Sequence, residues 1–160
     1  MLTNIRQPQI GDVNYLFDID LKCFDDPFPA DKWKQVLTAE GISKLISTSY
    51  GNPSGYVFWT PGDTTATIMR IAVKPTYRNQ GAGQQLLNAV CLNARQRSVP
   101  RVSIPVPESL CCPGDPRDAS RWLLNRGFRT NGRHSILKDH ATCFGKVEDA
   151  FLFVLEMEKF

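Results

Sequence analysis

The sequence predicts a mixed α/β domain: a central sheet of about seven strands with about four helices, in the order β-α-α-β-β-β-α-β-α-β-β. Three observations predict it. Apolar residues recur at roughly helical spacing in 12–24 and again in 83–96. Three strand candidates follow one another between Ser43 and Val73, separated by joints rich in Gly and Pro. The last of these strands then runs through a proline-bounded turn into a Gly-x-Gly loop that opens a helix. At 160 residues the chain is read as one domain, 1–160, long enough to bury a core without disulfide or metal.

Leu2 to Arg6 is a short strand candidate. Asp12 to Phe24 places Val13, Leu16, Phe17, Ile19, Leu21 and Phe24 at helical spacing, and Asp25-Asp26-Pro27 ends it. Asp31 suits the N-cap of a second helix through Leu37. Ser43 to Tyr50 closes at Gly51-Asn52-Pro53, and Tyr56 to Thr60 closes at Pro61-Gly62-Asp63. Thr64 to Val73 follows, so the three strands read as an antiparallel meander. Gly83 to Gln96 is helical, with Leu86, Leu87, Val90, Cys91 and Ala94 on one face. Val102 to Val106 is a short strand, and Glu108 to Pro116 is irregular. Arg117 to Arg126 is a helix with Gly127 as its C-cap. Phe128 to Leu137 and Ala150 to Lys159 are the last strands, with Lys138 to Asp149 read as the loop between them.

Composition narrows the class. Apolar residues make up 42% and charged residues 22%, ordinary for a globular protein. The net charge is +3 and the basic residues are scattered, so no nucleic-acid partner is expected. No stretch reaches the ~18 apolar residues of a membrane span. Met1 to Gly11 carries no apolar run and no secretory leader is expected, so the expected location is the cytoplasm. The five cysteines, Cys23, Cys91, Cys111, Cys112 and Cys143, form no C-x-x-C pair. They read as reduced thiols, with no metal site.

Chemistry is concentrated in Ile68-Met69-Arg70-Ile71-Ala72-Val73-Lys74-Pro75-Thr76-Tyr77-Arg78-Asn79-Gln80-Gly81-Ala82-Gly83-Gln84. A loop that opens a helix leaves the first N–H groups of that helix without intrahelical partners. Their partial positive charge suits a phosphate. Glycines at 81 and 83 let the backbone close on it. A dinucleotide fingerprint would need a third glycine where Leu86 stands, and an acid about 20 residues on, where Arg101 to Ser103 supply none. A Walker loop would need Gly-Lys-Ser/Thr, but Gly83 is followed by Gln84-Gln85.

Arg78-Asn79-Gln80-Gly81-Ala82-Gly83 resembles the Q/R-x-x-G-x-G/A signature of the GNAT superfamily of N-acetyltransferases, with Ile-Ala-Val-x-Pro-x-Tyr before it and Leu86-Leu87 after it. Gly127-Phe128 is similar to the Gly-Phe that closes the last helix of that family. Glu148-Asp149-Ala150 and Phe24-x-x-Pro27-Phe28 resemble its branch that acetylates protein N-termini, the ribosomal-protein-alanine N-acetyltransferases.

The resemblance implies the GNAT fold and acetyl-CoA as co-substrate. Backbone groups of Ile71, Ala72 and Val73 would pair with the pantetheine arm, and N–H groups of Asn79, Gln80, Gly81, Ala82, Gly83 and Gln84 would hold the pyrophosphate. The strand holding Ile71 to Val73 would splay from Val102 to Val106, with the thioester in the gap. A backbone N–H near Val73 would face the oxyanion.

Glu108, at the end of the Val102 to Val106 strand, is the acid best placed by sequence to take the proton of the amine; it also reads as a solvated loop residue. The branch's glutamate within that strand is replaced by Ser103-Ile104-Pro105. The family's tyrosine four residues before Gly-Phe is Leu123 here, and its asparagine seven residues earlier is Pro116. The branch's paired tyrosines before the last hairpin give way to Ile136-Leu137. Tyr77 reads as packing, and His134 and His140 as surface residues. Phe24, Phe28 and Trp33 read either as lining for the acceptor or as core.

The expected function is acetyl transfer to a primary amine, either a protein N-terminus or a small molecule. A monomer or homodimer is expected. A module that binds acyl-CoA without chemistry is the alternative, motivated by the missing tyrosine.

Overall fold

A strand buried on both faces belongs at the centre of a sheet. β3 (Asn52–Thr60) is such a strand: Tyr56 and Phe58 alternate with Val57 and Trp59, and all four are buried. The computed structural model describes residues 3–24, 27–111, 119–130, 136–141 and 147–157, with the backbone alone at 136–141 and 147–148. Around β3 are β1 (Thr3–Arg6), β2 (Ser43–Ser49), β4 (Thr65–Val73), β5 (Arg101–Pro107), β6 (Ile136–Ala141) and β7 (Val147–Glu156). They form one seven-stranded sheet in the order β1-β2-β3-β4-β5-β7-β6. Neighbouring strands are antiparallel except β4 and β5, which are parallel.

Helices α1 (Val13–Cys23) and α2 (Ala30–Thr38) cover one face. Val13, Leu16, Ile19, Trp33 and Val36 pack there against Ile46, Tyr56, Phe58 and Ala72. Helices α3 (Ala82–Gln96) and α4 (Ser120–Asn125) cover the other. Leu86, Leu87, Val90, Ala94 and Leu123 meet Val57, Trp59, Ile68, Val102, Phe128 and Phe153. The element order is the one expected, and the fold is of the mixed α/β class expected.

Several boundaries move, each for a physical reason. The N-cap of α2 is Pro29, and Asp31 lies in the first turn, where a carboxylate still favours the helix dipole. α3 begins at Ala82, with Gly81 as N-cap, one residue before the expected start. β3 begins at Asn52 and contains Pro53, which sits where the register with β2 slips, a place that tolerates a missing N–H. α4 is described from Ser120; Cys112, Pro116 and Arg117 lie outside the described residues. Of the strand expected from Phe128 to Leu137, Phe128 and Thr130 lie outside any strand, Arg129 makes an isolated bridge to Val154, and Ile136 and Leu137 open β6, which runs to Ala141. Lys138 to Ala141 and Val147 to Asp149, expected as loop, are strand. β6 is a short edge strand, and its sequence Ile-Leu-Lys-Asp-His-Ala shows no apolar alternation to announce it. His134 and Cys143 lie outside the described residues, as do Asp25 and Asp26.

A β-bulge in β4 decides which side chains face which helices. Phe58 pairs with Arg70 while Trp59 pairs with Ile68, so Met69 is an extra residue. Ala66 and Ile68 belong to the core under α3, but after the bulge Ala72 belongs to the core under α1. Arg70 turns to the α1 side with it, and Ile71 and Val73 to the α3 side.

Candidate active site

The gap between β4 and β5 is built by hydrogen-bond bookkeeping on two strands. β4 pairs with β3 from Thr67 to Val73, but with β5 only at Thr65, Thr67 and the residue between them. Beyond Ser103, β5 stays paired with β7 through Pro107 and has no register with β4. Lys74 N–H donates to Ser54 O at 2.8 Å, which makes Val73 and Gly55 a non-hydrogen-bonded pair. By alternation Ile71 is in such a pair too, so the backbone groups of Ile71 and Val73 turn away from β3, toward the gap. Those of Ala72 turn to Tyr56, and the Ala72 side chain is buried under α1.

The same alternation fixes the opposite lip. Met157 N–H donates to Pro100 O at 2.9 Å, so Arg101 and Glu156 are a non-hydrogen-bonded pair. Ser103, Pro105 and Pro107 therefore turn their backbone groups toward β4. Two of the three are prolines and carry no N–H. That lip offers carbonyls but, beyond Ser103, no donors, so a parallel ladder to β4 would lose the bonds that β5 should donate. The two prolines and the β4 bulge are the local features that weaken pairing across the gap.

The loop after β4 supplies the missing donors. A 3-10 turn at Pro75–Tyr77 leads to Asn79, with φ 61°, and Gly81, with φ 89°. The left-handed backbone at Gly81 is one a glycine adopts without strain. The helical bonding of α3 begins with Gln85 N–H to Gly81 O at 3.0 Å. The N–H groups of Ala82, Gly83 and Gln84 precede that bond and have no partner in the helix. No side chain caps α3, and no acid stands in its first turn. The start of this 15-residue helix thus presents uncompensated partial positive charge beside the gap.

The carbonyl of Val73 is already engaged. Arg78 Nε–H donates to it at 2.9 Å and the Cys23 thiol at 3.4 Å. Val73 is left to contribute its N–H to the gap. Burial pushes the Cys23 thiol up, against the opposing charge of Arg78. Gln80 and Gln84 border the same loop, and Gln84 Nε2–H donates to Asn88 Oδ1 at 2.7 Å.

Gly83 is helical, so its role is space rather than backbone freedom. A Cβ built there would stand 3.2 Å from Trp122 Cζ2 and 3.7 Å from Val73 Cγ2. The indole of Trp122 lies against the first turn of α3. Leu123, the position aligned with the family's tyrosine, is 3% exposed in the core under α3.

Glu108 opens a 3-10 turn at Glu108–Leu110, directly after β5, and is exposed. It stands at the end of the β5 lip. Phe28 and Trp33 prove to be core: they are 2% and 1% exposed, their rings 5.2 Å apart and edge-on. Phe24 is half-buried, its ring 3.4 Å from the Arg70 guanidinium carbon. Tyr77 is half-buried in the 3-10 turn.

A buried polar cluster, not anticipated from the sequence, braces β4 from behind. Asp20, wholly buried on α1, accepts from Arg70 Nη1 at 3.1 Å, from Phe28 N–H at 2.7 Å and from the Tyr56 hydroxyl. Burial, reinforced by the Asp20 charge, pushes the Tyr56 hydroxyl well above the usual phenol range. The signal was present: Arg70 is the one charge within β4, and Asp20 one within an apolar helix face. Among the described residues no group of side chains can hold a metal ion, and no helix is long and apolar enough to cross a membrane.

The chain is similar to known proteins in sequence and in fold. The model of the acetyltransferase (GNAT) family matches residues 13–109. A candidate ribosomal protein bS18-alanine N-acetyltransferase of Bacillus subtilis (strain 168) is 26% identical over 104 residues, covering 64% of this chain and 68% of the relative. The crystal structure of the ribosomal-protein-S18-alanine N-acetyltransferase from Escherichia coli superposes with a TM-score of 0.75 at 21% identity, covering 99% of this chain and 96% of that one. A GNAT family acetyltransferase from Elizabethkingia anophelis, solved with acetyl-CoA bound, gives a TM-score of 0.71 at 21% identity, covering 97% of this chain and 98% of that one.

Proposed function

We propose, from the premise that this chain belongs to the acetyltransferase (GNAT) family and is an acetyl-CoA-dependent acyltransferase, that it acetylates a protein N-terminal α-amine. The observation that carries the cofactor half is the donor-poor gap between β4 and β5, opening onto the uncapped start of α3. The likeness to the bS18-alanine acetyltransferase supports the acceptor half. The whole chain, 1–160, is read as one acetyltransferase domain, working in the cytoplasm.

In this reading the pantetheine arm lies along β4 and completes the ladder that β5 leaves unmade, bonding Ile71 and the N–H of Val73. Ala72 supports them through its pairing with Tyr56 and its packing under α1. The N–H groups from Asn79 and Gln80 through Gly81, Ala82, Gly83 and Gln84 hold the pyrophosphate. The acetyl carbonyl sits farther along the gap from the pyrophosphate loop, where a β4 backbone N–H near Val73 stabilises its developing oxyanion. The acceptor must arrive as a free amine. Its nitrogen attacks the thioester carbon; the N–C bond forms as the C–S bond breaks. Glu108, directly or through one water, takes the proton the nitrogen sheds. Leu123 has no proton to give, so the thiolate is protonated from solvent. Holding both reactants in one gap supplies much of the rate.

Incubation of a library of free-N-terminus peptides with acetyl-CoA, read by mass spectrometry, tests the acceptor. Acetylated N-termini with a preference for the first residue are expected. Labelling confined to small free amines would move the acceptor to that class. Glu108→Gln is expected to lower kcat about 100-fold with KM for acetyl-CoA unchanged. A kcat within twofold of wild type would remove Glu108 from the mechanism.

A further inference from the structure

We propose that Trp122 is a positioning residue for the acyl carrier, its indole forming the α4-side wall of the cofactor slot. The inference rests on the acetyl-CoA reading above and adds a residue that no motif pointed to. Three observations carry it. The indole reaches the first turn of α3 closely enough that a Cβ at Gly83 would meet Cζ2 at 3.2 Å and Cε2 at 3.9 Å. Beside the same position lies Val73 Cγ2, at 3.7 Å, on the lip of the gap. Trp122 is only half-buried, so part of its surface remains for a ligand.

The indole is also held in place. The Arg126 guanidinium carbon lies 4.2 Å from its ring centroid, and Arg126 Nη1–H donates to the Trp122 carbonyl at 3.3 Å. A cation stacked on one face of an indole fixes its rotamer while leaving the other edge available. Leu123 faces the core. The side chain α4 presents to the start of α3 is therefore an apolar plate. A plate beside a phosphate-binding helix start excludes water and gives an aliphatic arm a surface to pack on. The absent Gly83 side chain is the complement of this plate.

Tryptophan emission and a mutant cycle test the proposal. Trp33 and Trp59 are 1% and 3% exposed, so an emission change on adding acetyl-CoA reports on Trp122. Wild type is expected to show a saturable change, and Trp122→Phe to lose it while keeping its melting temperature. Trp122→Ala is expected to raise KM for acetyl-CoA about tenfold, with kcat within twofold. Gly83→Ala is expected to raise KM in the wild-type background and to have little effect with Trp122→Ala, because the clash has gone. If calorimetry shows wild type binding acetyl-CoA but emission stays flat, or Trp122→Phe keeps the emission change, the wall is overturned. Additive effects of Gly83→Ala and Trp122→Ala would overturn it as well. Absence of binding heat for wild type would instead overturn the cofactor reading on which it rests.

Discussion

Gly81 and Asp20 show how much one residue can decide. Gly81 sits at φ 89° immediately before the exposed amides of α3. Gly81→Asp adds both a Cβ in the left-handed region and a negative charge where a diphosphate should lie. Acetyl-CoA affinity measured by calorimetry is expected to fall at least tenfold, on the order of 1.4 kcal/mol or more. Asp20 is different in kind: it binds no ligand but takes bonds from Arg70, Tyr56 and Phe28 in a sealed site. Removing one member of a buried charged pair strands the other. Asp20→Ala is therefore expected to cost about 3–5 kcal/mol in urea unfolding. Tyr56→Phe, which deletes one neutral donor, is expected to cost about 1–2 kcal/mol. The glycine was legible in the sequence because a motif surrounds it. The carboxylate was not, since its partner lies fifty positions away and only a bulge at Met69 turns Arg70 toward it.

At the scale of elements, the gap depends on β5 being unable to donate on its β4 side. Pro105→Ala restores an N–H on that lip. The variant is expected to narrow the gap and raise KM for acetyl-CoA several-fold in steady-state assays, without loss of thermal stability. An unchanged KM would mean that the bulged, twisted β4 alone keeps the strands apart. The strands and helices that announce themselves are those with one buried face, and these the sequence located well. α3 is the clearest, with Leu86, Leu87, Val90 and Ala94 all buried as their spacing implies. In α1 one position departs from the apolar spacing: Leu21 is 52% exposed and Asp20 takes the inward place. β6 was displaced along the chain because its sequence, Ile-Leu-Lys-Asp-His-Ala, carries no alternating pattern.

For the molecule as a whole, acid and base act on different joints. Arg6 donates to both carboxylate oxygens of Asp12, at 2.8 and 2.9 Å, tying β1 to the start of α1. These bonds hold the Asp12 carboxyl below its ordinary range, and Lys74 and Lys22 do the same for Asp18. A lowered folded-state pKa gives stability that is complete above the unfolded value, near pH 4, and is lost as pH falls through the folded one. Tyr56 is the reverse case. Its raised pKa means the unfolded chain ionises first, so stability declines as pH rises past about 10. A plateau between these limits is expected in denaturant unfolding against pH. Asp12→Asn should lower the plateau and flatten the acid limb, and Tyr56→Phe should flatten the alkaline limb. If Asp12→Asn leaves the acid limb as steep as in wild type, the Arg6 bond is not its source.

By itself the sequence determined the class of fold, the strand-loop-helix that carries the phosphate-binding amides, and the family. Each is written in local spacing: the period of buried side chains, a proline that ends a strand, a glycine where the chain must turn left. Only the tertiary structure decided which backbone groups of β4 face the gap, that Phe28 and Trp33 are core, and that Trp122 closes over Gly83. Those depend on register, on a single inserted residue and on the meeting of distant elements. None of these is a property of neighbouring residues along the chain.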